Sequence, residues 1–309
     1  MTAYNNSLVR SHTYDLDVGC YDLAATHVGN YAIFFGGQEY DNVTFAAYSY
    51  DSSLTKTRLG TIGWNTNSVG VTIGNYALFC GSAQISEEDD EYNSYLSEVV
   101  AYDTALTRSI PTELSKARGY AAATSVGNYA LIGGGVGRGP LVGQDLTAMS
   151  VVDAYDRSLT RSVPTSFRQT RNRPAAATVG GYALFAGGSP TSNDSACTDI
   201  DAYNASLTRS APTTLSTARS ALASASTENF AIFAGGTSTL YPYDINPLSI
   251  VDVYDSSLTR SVSTPFSENK YEHASATVGN YVLFGGGSKT NSVYSSSGAS
   301  NVVNAYLVS

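Results

Sequence analysis

The chain has 309 residues, a formal net charge of −9, and 14% charged against 42% hydrophobic residues. That composition excludes a disordered chain and leaves material for a substantial core. The acidic balance argues against a nucleic-acid partner, whose binding rests on neutralising phosphates, and no apolar run approaches the roughly 18 residues of a membrane-spanning helix.

The first residues, "MTAYNNSLVR", have no basic segment followed by an apolar stretch, so no signal peptide is read there. Synthesis in the cytoplasm is expected, with release or association with a virion as the possible fates. Within this opening lies "AYNNSLVRS" (3–11), a worn copy of a phrase that returns down the chain. It reappears as "SYDSSLTKTR" (49–58), "AYDTALTRS" (101–109), "AYDRSLTRS" (154–162), "AYNASLTRS" (202–210) and "VYDSSLTRS" (253–261), and a clipped "AYLVS" ends the chain. A second phrase alternates with it: "VGNYAIFFGG" (28–37), "IGNYALFCGS" (73–82), "VGNYALIGGG" (126–135), "VGGYALFAGG" (179–188), "TENFAIFAGG" (227–236) and "VGNYVLFGGG" (278–287). Its aromatic residue falls at Tyr31, Tyr76, Tyr129, Tyr182, Phe230 and Tyr281, a period of about 50 residues, which belongs to propellers and solenoids.

One period reads as four strands. In residues 118–166, "YAAATSV" (120–126) is strand a, and "GN" is a tight turn, since both residues accept positive φ. "YALIGG" is strand b, apolar on both faces, as a sheet covered on both sides must be. A variable connection leads to strand c, "SVVDAYD" (150–156). A turn opened by Asp follows, then strand d, "LTRSVPT" (159–165), whose Pro164 marks an edge strand or strand end.

A hydrophobic strand ending in a Gly doublet, a spacer, "YD", then a strand leading to a basic residue resembles the kelch repeat, in the order "ALIGGG…VVDAYD…LTRS…R". The resemblance covers essentially the whole chain in six copies. The Trp usual in strand d of kelch repeats is absent and "LTRS" stands there, which points away from adaptor-type kelch proteins. The terse repeat is similar to kelch-like proteins encoded by bacteria and their phages. The resemblance implies an all-β, six-bladed β-propeller of four-stranded antiparallel blades. As a single domain, its blades cover about residues 13–58, 59–110, 111–163, 164–211, 212–262, and 263–309 with 1–12. The last segment supplies strands a, b and c but no d, while "NSLVRSH" (6–12) is d-like, so the N-terminal strand is expected to close the ring by completing the last blade. A piece of a longer array is the alternative.

In a propeller the loops carry recognition. The a–b and c–d turns here are uniform, and the b–c connections all differ. Strand direction puts the b–c and d–a loops on one face, which is the expected binding surface. Its ligand-binding candidates are Tyr40, Tyr92, Tyr95, Arg138, Tyr241, Tyr243 and Tyr294 from b–c connections, and Trp64, Tyr271 and His273 from d–a connections. Rigid aromatics among Ser, Asn and Gly suit adaptable recognition; packed rings in solvated loops are the plainer reading. Arg118, Arg171, Arg219 and Lys270 match the kelch Arg at the start of the innermost strand, with Cys20 and Asn65 at the equivalent places of the first two repeats. Those cations either hold a carboxylate or phosphate at a channel mouth or bond backbone carbonyls of the adjoining blade.

No catalytic constellation emerges: there is no G-x-S-x-G and no H-E-x-x-H, and "GGG" (133–135) lacks the helix and Lys of a phosphate loop. Cys20 and His27 are close in sequence but fall in different parts of the repeat, and Cys80, which sits where other repeats have Gly or Ala, reads as a small buried residue. "EEDDE" (87–91) lacks the alternating spacing of a calcium loop and reads as a solvated acidic loop. No cofactor or metal is expected. The expected role is a non-catalytic module binding a glycan or protein, with a glycan-acting enzyme or an assembly protein as alternatives.

Overall fold

A computed structural model describes residues 2–4, 7, 10–12, 16, 22–37, 46–62, 65–85, 92–138, 146–191, 195–239, 245–290 and 298–308. Among these the chain is all-β, with the six antiparallel sheets of a six-bladed β-propeller. It divides into two compact units: residues 1–3, 10–147 and 151–166 form the first, and 4–9, 148–150 and 167–309 the second.

The first unit holds three sheets, with strands in the order a, b, c, d. Sheet 1 is Ala24–Val28, Tyr31–Phe35, Ala46–Tyr50 and Lys56–Thr61; sheet 2 is Val69–Ile73, Tyr76–Ile85, Tyr92–Asp103 and Arg108–Ser109. Sheet 3 is Ala122–Val126, Tyr129–Gly133, Val152–Asp156 and Arg161–Ser162. In the second unit, sheet 4 is Ala175–Val179, Tyr182–Ala186, Ile200–Asn204 and Arg209–Ser210, and sheet 5 is Ala223–Ser226, Phe230–Ala234, Val251–Asp255 and Arg260–Val262. Sheet 6 has three strands among the described residues, Ala274–Val278, Tyr281–Gly285 and Val303–Leu307.

The N-terminal segment departs from expectation. Arg10–His12 pairs with Thr2–Tyr4 in a separate two-stranded ladder instead of extending sheet 6. The reason is in the sequence: "AYNNSLVRS" copies the whole c–turn–d phrase, so this d-like strand brings its own c-like partner.

Sheets 1 to 5 share a local device at the turn between c and d. The turn between c and d is closed by the carboxylate that opens it: Asp156 Oδ1 accepts the N–H groups of Ser158 (2.8 Å) and Thr160 (2.9 Å). Asp51, Asp103, Asn204 and Asp255 do the same in their turns. The Leu closing each turn sits in the left-handed region: Leu54, Leu106, Leu159, Leu207 and Leu258 have φ near +60°. This conformation is costly for a branched side chain; Leu106, Leu159 and Leu258 keep it while packing on the cores beside them. The Tyr of strand c anchors the chain beyond the d strand of the preceding sheet, as Tyr155 donates to Thr112 O (2.7 Å) and Tyr254 to Thr213 O (3.0 Å).

The cores lie between successive sheets within each unit. In the first unit, Ile33, Phe35, Ala77, Phe79 and Tyr102 pack sheets 1 and 2 together, and Leu78, Cys80, Ile132 and Tyr155 join sheets 2 and 3. In the second, Leu184, Ile200, Leu215 and Phe233 join sheets 4 and 5, and Ile232, Phe266, Val282 and Phe284 join sheets 5 and 6. The a strands meet most closely, so they are built of small residues: Ser224 Oγ donates to Ala176 O (2.7 Å), and Thr26 and Thr72 join hydroxyl to hydroxyl at 2.9 Å. In sheet 6, Val303 and Leu307 are exposed. Val152 and Ile200, in the same place of sheets 3 and 4 as Val303, are fully buried.

Candidate functional site

The four cations at the start of the innermost strands are buried. Arg118, Arg171, Arg219 and Lys270 each have 0% exposure. Each lies against strands b and c of its own sheet. Arg118 Nη2 donates to Asp153 Oδ2 (2.7 Å) and Ile132 O (3.1 Å). Arg219 donates to Asp252 Oδ2 (2.6 Å), Phe233 O (3.1 Å) and Ile250 O (3.0 Å). Arg171 pairs with Asp201, donates to Phe185 O and Asp199 O (both 3.0 Å), and lies 4.2 Å over the Phe167 ring. Their side chains thus bond the cations' own sheets, rather than an adjoining blade, and have no surface to offer a ligand.

The Asp of "VDAYD" is the partner that sequence reading passed over. Asp153, Asp201 and Asp252 are fully buried, each between the innermost Arg and the Arg of "LTRS". Arg161 reaches Asp153 at 3.2 Å, Arg209 reaches Asp201 at 3.6 Å and Arg260 reaches Asp252 at 4.0 Å. Ser115 and Ser216, three residues before the buried Arg, donate backbone N–H and hydroxyl to the same carboxylates. Burial depresses Arg171 and Arg219 and raises Asp201, the partner charge opposing each shift, so desolvation outweighs the attraction at these pairs.

Of the aromatic candidates, Tyr95 is buried in strand c of sheet 2, packed with Ala83 and Val136. The connection 81–98, read as a loop, is largely a continuation of the b–c hairpin, which pairs Ala83 with Tyr95 and Ile85 with Tyr92. Tyr92 lies on that strand. Arg138 is half-buried on the short strand Val136–Arg138. Tyr271 is buried with its hydroxyl on Thr290 O (3.2 Å), and His273 is buried against Phe266 and Phe284. Both were expected on the binding face; position 273 corresponds to the buried Leu222 of sheet 5, so the ring points into the core. Tyr40, Trp64, Tyr241, Tyr243, Tyr294 and the acidic run 87–91 lie outside the described residues.

Two residues beyond each innermost cation position, the structure presents a different set. Asp22, Asn67, Tyr120, Arg173, Ala221 and Glu272 all have positive φ, between 51° and 56°. They are hydrogen-bonded in rows. In the first unit Asn67 N donates to Asp22 O and Tyr120 N to Asn67 O, both at 3.2 Å. In the second, Ala221 N donates to Arg173 O (3.1 Å) and Glu272 N to Ala221 O (3.0 Å). Tyr120 is held against Tyr95 and Leu146. Arg173 and Glu272 form an ion pair, 26% and 36% exposed, while Ala221 stands between them in the row. One backbone geometry therefore carries a carboxylate, an amide and a phenol in one unit, and a guanidinium, a methyl and a carboxylate in the other. Apart from the buried Ala221, all are at least partly open to solvent.

At these positions the described residues offer hydrogen-bonding groups, charges and the Tyr120 ring. Among the described residues no cluster of three or more His, Cys, Asp or Glu could hold a metal ion. The Cys80 thiol is pushed up to about 12 by burial, above all other influences, which removes it as a nucleophile. Nor is any helix among the described residues long and apolar enough to cross a membrane.

No protein-family model matches the sequence, and no curated protein matches it. Among solved structures, YjhT is similar over 95% of this chain and 96% of its own, with a TM-score of 0.71 and 12% identity. At that identity the likeness speaks for architecture alone, and with the six sheets it makes this chain a six-bladed β-propeller.

Proposed function

We propose that the chain is a non-catalytic binding module of kelch type that recognises a glycan or protein partner through its d–a and b–c connections. The observation that carries this reading is the contrast between backbone and side chain at the six left-handed positions. Everything the fold needs there repeats, namely the φ value and the row of hydrogen bonds, while the side chain changes from Asp to Asn, Tyr, Arg, Ala and Glu. A position conserved only for folding would repeat its side chain, as the Leu of the c–d turns does. Variation on a fixed frame is how a scaffold presents a recognition surface. The b–c connections, variable in sequence, carry Tyr40, Tyr241, Tyr243 and Tyr294, which lie outside the described residues. The resemblance of the repeat to bacterial and phage kelch-like proteins is the ground for putting such a module, in this proposal, on a virion or at a bacterial surface.

The test is a glycan-array screen and a pull-down of companion proteins, with Tyr120→Ala, Arg173→Ala and Tyr241→Ala/Tyr243→Ala variants alongside. Ala221 already occupies the same left-handed backbone, so alanine at 120 or 173 leaves the frame standing. Selective binding that falls at least tenfold in Tyr120→Ala or Arg173→Ala is the expected result. Binding that survives both substitutions would move the site away from the left-handed rows.

A further inference from the structure

Sheet 6 breaks the electrostatic pattern of its neighbours. Sheets 3, 4 and 5 each bury an Arg against an Asp; sheet 6 has Lys270 and, at the Asp position, Asn304. Among the described residues the hydrogen-bond partners of Lys270 Nζ are carbonyl oxygens, Val302 O (3.1 Å) and Phe284 O (3.3 Å), and it lies 4.9 Å over the Phe266 ring. Asn304 accepts from Ser267 N and Oγ, as Asp153 and Asp252 do from Ser115 and Ser216, but its Nδ2 is buried without a partner among the described residues. Three residues on, His273 takes the slot that Leu222 fills in sheet 5. It is 7% exposed, edge-on to Phe266 and Phe284, and among the described residues neither ring nitrogen meets a partner in good geometry, the Ala234 backbone being a polar group that faces it.

We propose that sheet 6 is an acid-sensitive element of this protein: protonation of His273, beside the buried Lys270 and with no carboxylate at position 304, opens the sheet while sheets 4 and 5 stay closed.

The charged and titratable groups around the pair are few. From sheet 5, Arg219 faces His273 and is itself engaged by Asp252. From its own connection, Glu268 faces Lys270 and is held by Ser300 and Lys289. Tyr306 packs on Phe266 and Phe284, with its hydroxyl on Thr264 O. Burial first, then the Lys270 charge, holds His273 down from 6.5 to about 3. A histidine held low favours the folded sheet above 6.5, and that contribution is lost as pH falls from 6.5 toward 3. Lys270 is likewise lowered, mainly by burial, so its charged form also works against the closed sheet. Sheet 4 differs in sign: Asp201 is raised, so acid does not draw its buried pair apart by the same route. The exposed Val303 and Leu307 leave sheet 6 with a less covered c strand to release.

Amide hydrogen exchange of the full chain between pH 7.5 and 4.5, corrected for intrinsic rates, tests this. The opening equilibrium in peptides covering 281–285 and 303–307 is expected to rise about tenfold for each pH unit below 6.5, with 182–186 and 230–234 unchanged. His273→Leu, the residue of sheet 5, should abolish the acid response, and Asn304→Asp should move its midpoint to lower pH. Sheet 6 peptides that track sheets 4 and 5 at every pH overturn the proposal, as does an acid response that survives His273→Leu. Should that variant fail to fold, an unchanged midpoint in Asn304→Asp overturns it.

Discussion

At the scale of single residues, the repeat separates side chains that hold the sheet from side chains that are only inherited with it. Tyr254 and Tyr102 occupy the same place in strand c, and both are buried. Tyr254 donates its hydroxyl to Thr213 O at 3.0 Å, whereas the Tyr102 hydroxyl is buried with no partner among the described residues. A made hydrogen bond contributes about 1 kcal/mol, and a buried unmade one is a cost. Tyr254→Phe should therefore lose about 1 kcal/mol in urea denaturation, and Tyr102→Phe should be neutral or slightly stabilising. Equal losses in both would mean that the ring, not the hydroxyl, is what strand c needs. The buried Arg–Asp pairs follow a related logic. Desolvation outweighs attraction at the pairs of sheets 4 and 5, yet Asp153 and Asp252 each gather a Ser and a second Arg, and Asp201 gathers Arg168 and Arg209, so the carboxylate orders neighbouring strand segments around one point.

At the scale of the element, the Gly doublet after strand b is fixed by a close approach. A Cβ built on Gly187 would stand 2.3 Å from Arg219 O and 3.2 Å from Leu215 Cδ1, at φ +62°. The next residue uses that same carbonyl: Gly188 N donates to Arg219 O at 3.0 Å. Strand b of sheet 4 thus ends on the backbone of sheet 5, and the same contact recurs where Gly81 meets Arg118 O. Gly187→Ala must either displace the Arg219 backbone or twist strand b. Both the strain and the lost contact fall on one junction, so a destabilisation of several kcal/mol is expected. A thermal midpoint within about 1 °C of the parent's would show that the junction is far softer than its distances imply. The edge strands are treated differently. The d strands of sheets 2, 3 and 4 are two residues long, with a Pro soon after, as in Ser162 and Pro164, and Ile110 and Val163 stand exposed beside them. Shortness and proline, rather than charge, limit edge pairing here.

At the scale of the whole molecule, the sequence discloses what repeats and conceals what depends on a single copy. The recurring phrases of the kind "GNYALIGGG" and "YDSSLTRS" made the six sheets, their strand order and their turns legible, because each phrase answers a local requirement. The buried Asp stood in "VDAYD", "IDAYN" and "VDVYD", and only the burial of Arg118 and its counterparts reveals why. Tyr271 and His273 read as surface residues because "NKYEHAS" carries no periodicity that tells which neighbour turns inward; the left-handed Glu272 between them decides it. Cysteine chemistry offers a probe of each unit separately. Cys80 lies in the first unit between sheets 2 and 3, and Cys197 in the second, with its N–H on Gly188 O and its carbonyl accepting from Arg219 N. Burial raises both thiols, and the thiolate is the form that reacts. Peptide-resolved alkylation at pH 8 should leave both unlabelled in the native protein and label each when its own unit unfolds. Because a repeat's stability is set by itself and its nearest neighbours, Gly187→Ala should lower the denaturant midpoint for labelling Cys197. Alkylation of native Cys197 at the rate of a free thiol would mean that the junction of sheets 4 and 5 opens far more readily than its packing allows.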